Sequence, residues 1–387
     1  MSDFIVASDV KKTAAERGAQ YSCLVSRDSI DRRLTFDVST TADSHMTARS
    51  DDWVLLGLLF IAMRSGKNLR IEGKISPLLL HAARSDIQHL LRRFDKTLHH
   101  VDIDAEVCSA AIPTRDRLRV GSGFSAGIDS FAAVGSFKST GLTPDLIVTD
   151  LFTFNVGAIG GGNGNNVLRA FRLMVARAEE YASATGALAH SVNSNLHTFY
   201  TGHQGLEFPR THTLRNMAAA SLFQSEIDCY LYASTFSYAE IDLGASYDLA
   251  HVDPILLPLL SPAGMRYMSA SAGINRVEKT RLVAQDLVAQ ELLDVCVAPT
   301  AKRAEAIERR MNCSSCWKCY RTMMTLDALG ELEKFSQVFD LAAYRAKSNE
   351  IVQIIKRRGA KGSTADQSAY DYYAARKLPV SSNPPID

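Results

Sequence analysis

The sequence lacks a large excess of charge of either sign. Its 43 lysine and arginine residues nearly balance 42 aspartate and glutamate residues, which leaves a formal net charge of +1. Proteins that hold nucleic acid on a broad surface usually carry a basic excess. We therefore expect no nucleic-acid partner.

Long apolar runs are missing as well. The longest run, WVLLGLLFIAM from Trp53 to Met63, is shorter than the roughly 20 residues that span a bilayer, so a buried helix is predicted. The opening residues lack the apolar core and cleavage site of a signal peptide. The seven cysteines are an odd number, which argues against a disulfide framework. We expect a soluble protein of the reducing cytoplasm, with no membrane partner.

The 387 residues are enough for two or three domains. Residues 1–20 are polar and predicted to be loose, and residues 21–110 are predicted to form a small α/β accessory domain. From residue 111 to 272, short apolar strands alternate with helices, which is typical of a parallel, doubly wound sheet. Residues 273–358 are predicted to be helical, and residues 359–387, rich in Ser, Ala and Pro, mostly irregular.

A glycine-containing stretch, GSGFSAGIDSFAAV from Gly121, lies where a predicted strand meets a predicted helix. Backbone N–H groups at such a turn form an anion site together with the helix N-terminus. The candidate phosphate-binding residues are those of the segment SAGIDS: Ser125, Ala126, Gly127, Ile128, Asp129 and Ser130. Asp129 is predicted to cap free amides or to help hold a magnesium ion on the phosphates.

Two other interpretations of this stretch remain open. It could be an ordinary strand-to-helix turn. It also fits a loose dinucleotide fingerprint through Gly121, Gly123 and Ala126, with Asp150 as a ribose ligand. The segment is not a Walker loop, because no Gly-Lys-Ser/Thr ends it.

Four cysteines are spaced as metal ligands. Cys313, Cys316 and Cys319 lie three residues apart in MNCSSCWKCYRTM, and Cys296 precedes them in LLDVCVAP. Four thiolates from two neighbouring segments suit a tetrahedral Zn²⁺ ion, which would be structural because protein ligands fill every position. An iron–sulfur cluster held by three of the cysteines is the alternative.

The segment SAGIDS resembles the PP-loop, Ser-Gly-Gly-x-Asp-Ser, of the N-type ATP pyrophosphatases, with Ala126 where that family usually has glycine. Followed by one cysteine and then Cys-x-x-Cys-x-x-Cys, it is similar to the 7-cyano-7-deazaguanine synthase branch. Arg215 and Asn216 in THTLRN match that family's Arg-Asn pair, and Lys279 in NRVEKT matches its lysine near the nucleotide. The family's YPDC segment has no counterpart.

The resemblance implies a fold of the adenine nucleotide α-hydrolase-like (HUP) type and an enzyme that uses ATP and Mg²⁺. Such an enzyme forms AMP and pyrophosphate while it activates a carboxylate or amide oxygen for attack by ammonia or an amine. It implies that Asp129, Lys279 and Arg215 are catalytic, that Asn216 binds ATP and that the zinc is structural. The acceptor could be a small molecule or a protein terminus, and a homodimer is left open. A thiolation enzyme and a nucleotide-binding module without turnover are the alternatives.

Overall fold

A computed structural model describes residues 3–41, 48–108, 117–138, 146–159, 164–201, 206–244, 246–297, 305–306 and 308–377. The fold is α/β, with a ten-stranded, mostly parallel sheet flanked by helices. The strands are β1 (Phe4–Ala15), β2 (Gly18–Arg27), β3 (Ile30–Thr40), β4 (Asn68–Ile75), β5 (Ile103–Val107), β6 (Val120–Gly123), β7 (Val148–Asn155), β8 (Leu188–Ser194), β9 (Cys229–Ala233) and β10 (Arg266–Ala270).

The helices of the first two thirds of the chain are α1 (Asp52–Ser65), α2 (Pro77–Arg84), α3 (Asp86–Phe94), α4 (Ile128–Lys138), α5 (Asn165–Thr185), α6 (His197–Tyr200), α7 (Phe208–Ala220) and α8 (Asp253–Leu259). The remaining helices are α9 (Arg276–Val283), α10 (Leu287–Leu292), α11 (Trp317–Leu329), α12 (Leu341–Ala346), α13 (Ser348–Ala360) and α14 (Thr364–Lys377). Short 3₁₀ turns cover Ser221–Phe223, Tyr238–Glu240, Leu249–His251 and Leu332–Phe335.

The sheet has the strand order β10-β9-β6-β7-β8-β3-β2-β1-β4-β5. The five strands from β10 to β8 are parallel to their neighbours. From β6 the chain moves to β7 and β8 on one side and then to β9 and β10 on the other. The strand order therefore reverses at β6, and the crevice at the carboxyl ends of β6 and β9 is where ligands bind on sheets of this kind.

The predicted accessory domain and the predicted nucleotide domain share this sheet. Strand β3 pairs antiparallel with β8, from Phe36 opposite Ser194 to Thr40 opposite His190. Helix α1 also packs against α7, and Tyr200 donates a hydrogen bond to the carbonyl of Gly57 (2.8 Å). One apolar core thus extends through both parts, while the predicted domain boundaries stay a prediction.

Two predictions about terminal segments are wrong. From Phe4 onward the N-terminal segment is not loose, because β1 lies between β2 and β4 in the sheet and buries Ile5 and Ala7. Further along the chain, the segment DPILLPLL forms helix α8, and Pro254 in its first turn favours a helix start.

The tail after residue 359 is also not mostly irregular over its described part, because α14 extends from Thr364 to Lys377. Ala369 and Tyr373 of this helix are buried in a second apolar core, which is separate from the one described above. The carboxylate of Asp366 is completely buried between Arg321 (3.3 Å) and Arg358 (2.9 Å). Tertiary contacts therefore stabilise a helix whose sequence signal is weak.

Candidate functional site

The predicted phosphate loop connects β6 to α4 at the carboxyl edge of the sheet. Ala126 has a left-handed backbone (φ +57°) and is buried. Its carbonyl accepts a hydrogen bond from the Asp294 N–H (2.7 Å), and the Ser130 hydroxyl donates to the Gly127 carbonyl (3.0 Å). The first N–H groups of α4 have no intrahelical acceptor, so this end of the helix carries a partial positive charge.

The left-handed conformation of Ala126 leads to a stability prediction. Ala126→Gly should relieve about 1–2 kcal/mol of steric strain, which offsets the methyl burial and chain entropy lost with the side chain. The unfolding free energy should therefore stay unchanged or rise by up to about 1 kcal/mol. The matched control Ala132→Gly, inside α4 and equally buried, should lose about 2 kcal/mol. If urea unfolding showed equal decreases in unfolding free energy for both variants, the backbone of Ala126 would not be strained.

Asp129 lies at the centre of a cluster of basic side chains. Its carboxylate pairs with Arg276 (2.9 Å) and Lys279 (3.5 Å) and is only about a quarter exposed. Burial raises the pKa of Asp129, but the charges of Arg276, Lys279, Lys318 and Arg321 outweigh this effect and lower the pKa overall. Asp129 therefore meets four cations beside the loop, of which Arg321 is also paired with Asp366.

Lys279 is held in place within this cluster. Its ammonium is almost fully buried and donates hydrogen bonds to the carbonyl (2.6 Å) and hydroxyl (2.8 Å) of Ser234, just beyond β9. Burial lowers the pKa of Lys279, and Asp129 opposes that shift. The lysine sits in the first turn of α9, which Asn275 and Glu278 close with a capping box.

A pocket opens between the loop and the basic cluster. Its walls come from the loop, from the segment around Cys296 and from the start of α11, and the polar lining residues are Ser125, Asp129, Arg276, Asp294, Lys318, Arg321 and Thr322. Of these, Arg276 and Arg321 each keep a buried Nε that has no hydrogen-bond partner among the described residues. The pocket therefore offers cationic donors and a helix N-terminus to an anionic ligand.

The four predicted metal ligands come together. The sulfur atoms of Cys296, Cys313, Cys316 and Cys319 all lie within 4.8 Å of one another, with Cys319 at 3.8 Å from Cys313 and 3.4 Å from Cys316. Tetrahedral Zn–S bonds place sulfur atoms about 3.8 Å apart. The cysteines are thus close enough to bind a metal ion such as zinc. Because Cys296 also lines the pocket, a metal here would brace one of its walls.

Arg215 and Asn216 lie on α7, and none of the contacts between described residues joins them to the loop. The guanidinium of Arg215 is buried against the Tyr200 ring (3.8 Å) and donates to the carbonyls of Leu206 (2.7 Å) and Val156 (3.5 Å). Burial lowers the pKa of Arg215 to about 10. Asn216 donates to the Tyr232 hydroxyl (3.0 Å). Neither residue is part of the lining of the basic pocket.

The ribose role considered for Asp150 does not fit the structure. Its carboxylate is completely buried and bonded to Arg119 and to His190 (2.7 Å) near the start of β7, away from the carboxyl edge of the sheet. Residues 160–163 and His203 lie outside the described residues.

Several site residues were not predicted. Arg276 and Arg321 line the pocket, although neither was among the predicted site residues. The available sequence signal for these residues is their spacing. Lys279 follows Arg276 by three residues, and Arg321 follows Lys318 by three, and this spacing puts the side chains of each pair on one helix face.

A buried carboxyl group, Asp253, gives a pH-dependent prediction. Burial raises the pKa of Asp253 from 3.8 to about 6, although the hydrogen bond from Thr213 (2.6 Å) acts to lower it. The folded state therefore binds a proton between about pH 4 and 6 that the unfolded chain does not, and stability falls as pH rises through this window.

Asp253→Asn should consequently be more stable than the wild type by about 2–3 kcal/mol at pH 7, with the difference vanishing near pH 4. Urea unfolding at both values measures this effect. The exposed Asp102→Asn serves as control and should change stability by less than about 0.5 kcal/mol. A constant difference between pH 4 and 7 would show that Asp253 does not titrate in this window.

The chain matches no protein-family model, no curated protein and no solved structure with which it was compared. Within the described ranges, no helix combines the length and apolar character needed to cross a membrane. The function is therefore inferred from the site itself.

Proposed function

We propose that this protein is an ATP-dependent adenylating enzyme with a doubly wound, HUP-type nucleotide domain. The single observation that carries the proposal is the pocket in which the N-terminus of α4 and Asp129 meet three cations, Arg276, Lys318 and Arg321. This donor set is suited to a polyphosphate, and Asp129 is suited to a magnesium ion that accompanies it.

In the proposed reaction, ATP places its β- and γ-phosphates on the segment Ser125–Ser130. A carboxylate or amide oxygen of the acceptor attacks the α-phosphorus, the bond to the β-phosphate oxygen breaks, and pyrophosphate leaves with Mg²⁺. Ammonia or an amine then displaces AMP and forms a C–N bond. Positioning and charge neutralisation account for most of the rate, with Lys279 fixed by Ser234 as one of the charges.

The four cysteines fit a structural zinc ion in this scheme. Their sulfur atoms form a compact set, and zinc held by four protein ligands has no open position for chemistry. The same compactness disfavours the thiolation alternative, which needs an accessible sulfur relay. Resemblance to the 7-cyano-7-deazaguanine synthases makes a deazaguanine carboxylate the first acceptor to test, with a protein terminus as the other class.

A nucleotide-binding module without turnover is the second candidate. The strained Ala126 in the loop favours it, because a displaced amide would weaken transition-state contacts more than ground-state binding.

The test is to incubate the protein with Mg²⁺, ATP labelled at the α-phosphate and pooled carboxylic acids, including 7-carboxy-7-deazaguanine. Acid-dependent release of labelled AMP is expected. ADP as the main product would contradict the mechanism, and tight ATP binding without AMP across the pool would support the module instead.

A further inference from the structure

A hydrogen-bonded chain of three side chains lies at the end of β9. The ring of His212 bonds through Nδ1 to the Tyr232 hydroxyl (2.7 Å) and through Nε2 to a carboxylate oxygen of Asp248 (3.0 Å). The His212 and Tyr232 rings are stacked nearly parallel. A carboxylate, an imidazole and a hydroxyl in this order form the arrangement that moves protons in nucleophilic catalysis.

The surrounding contacts favour one direction for each hydrogen bond, although the Thr213 hydroxyl also lies 3.3 Å from His212 Nδ1. Asp248 also accepts a hydrogen bond from the Ala250 N–H (3.0 Å), and an ionised carboxylate only accepts, so His212 donates from Nε2–H. In the neutral ring Nδ1 is then an acceptor, which receives the Tyr232 O–H. The Asn216 amide donates to the same phenolic oxygen and would stabilise negative charge that develops on it.

The position of this chain relates it to the proposed active site. Tyr232 is half-buried near the carboxyl end of β9, the strand next to β6, from which the phosphate loop continues. Two residues further on, Ser234 holds the ammonium of Lys279. Tyr232 is thus at the switch between β6 and β9, on the strand next to the one from which the phosphate loop continues.

We propose that Tyr232, His212 and Asp248 form a proton relay that deprotonates the amine nucleophile in the second half-reaction, an inference that rests on the proposed function. As the amine nitrogen bonds to the activated carbonyl carbon, its proton passes to the Tyr232 oxygen, and the Tyr232 proton passes to His212 Nδ1. AMP leaves when the carbon–oxygen bond to the phosphate breaks. The resulting imidazolium is paired with Asp248 and returns its proton to solvent.

The kinetic test separates the two half-reactions of the full-length protein. Exchange of labelled pyrophosphate into ATP, with 7-carboxy-7-deazaguanine as acid, measures activation, and amide formation with ammonium chloride measures transfer. Tyr232→Phe should exchange pyrophosphate within about 2-fold of the wild type and form amide at least about 100-fold more slowly. The exposed Tyr247→Phe should change neither rate.

Transfer should also depend on pH, because only neutral His212 accepts a proton. Burial lowers the pKa of His212, but the hydrogen bond and charge of Asp248 and the charge of Asp253 outweigh burial and Arg215 and raise it overall. The transfer rate of the wild type should fall as the pH is lowered, with a midpoint above the pKa of an ordinary histidine. Tyr232→Phe should lose this pH dependence. The titratable or charged groups that face the ring or its partners are Tyr232, Asp248, Asp253, His251 and Arg215.

Equal losses in exchange and transfer, or no loss in either, would overturn the relay. If the wild type itself exchanges no pyrophosphate, the proposed function fails, and a second measurement still decides the proton arrangement. In ¹⁵N-histidine NMR spectra, His212 should be the Nε2–H tautomer with an Nδ1 signal that shifts in Tyr232→Phe. An Nδ1–H tautomer, or an unchanged signal in that variant, would refute the relay independently of turnover.

Discussion

Asp129→Asn is expected to lower acid-dependent AMP formation by at least about 100-fold. The substitution removes the carboxylate that pairs with Arg276 and Lys279 and with it the proposed magnesium ligand. Losing one preorganised charge contact at a reacting phosphate typically reduces turnover by this factor. Release of labelled AMP under saturating ATP and Mg²⁺ measures the effect.

The same variant should bind an anion more tightly when no metal is present. The cations Arg276, Lys318 and Arg321 then line the pocket without the Asp129 carboxylate, so calorimetry with pyrophosphate in EDTA should show several-fold stronger binding than for the wild type. Asp102→Asn, an exposed carboxylate on the accessory part, is the control and should leave both measurements unchanged. Weaker pyrophosphate binding by Asp129→Asn would mean that the phosphates lie elsewhere.

Cys319→Ser is expected to abolish metal binding and to destabilise the chain severely. Purified wild type should hold one zinc ion per chain by elemental analysis, and the variant less than a tenth of that amount. Cys319 is completely buried, and its sulfur contacts those of Cys313 and Cys316. Structural zinc sites supply a large share of folding free energy, so a loss of at least about 3 kcal/mol is expected in urea unfolding.

The effect should extend to the phosphate loop. The segment that contains Cys296 also contains Asp294, whose N–H bonds to Ala126, so losing the metal should weaken pyrophosphate binding as well. Cys108→Ser, at a lone buried cysteine, is the matched control and should keep its zinc. Brown colour and acid-labile sulfide in the wild type would show that the cysteines hold an iron–sulfur cluster instead of zinc.

Parts of the fold and of the site could be predicted because their signals are local. The helix α5 and strand β8 follow from apolar periodicity and length, and the cysteine spacing identified a set whose sulfur atoms do come together. Ala126 stands where the resembling family usually has glycine, and its backbone is indeed in the left-handed region that favours glycine (φ +57°).

Other parts depend on partners that are distant in sequence. Strand β1 is fixed by pairing with β4, more than fifty residues later, and α14 by a buried carboxylate that meets Arg321 and Arg358. The chain of Tyr232, His212 and Asp248 likewise joins three separate segments. No periodicity or spacing in one sequence records such contacts, since they arise only when the sheet brings its edges together.

The pairing of β3 with β8 has a practical consequence for dividing this protein. Cutting the chain before residue 118 would remove β3 and uncover the edge of β8 from His190 to Ser194, with its main-chain donors and acceptors turned to water. An exposed, unprotected edge of this kind recruits strands from other molecules. A fragment that begins at the phosphate loop should therefore self-associate, and its activity would say little about the intact chain.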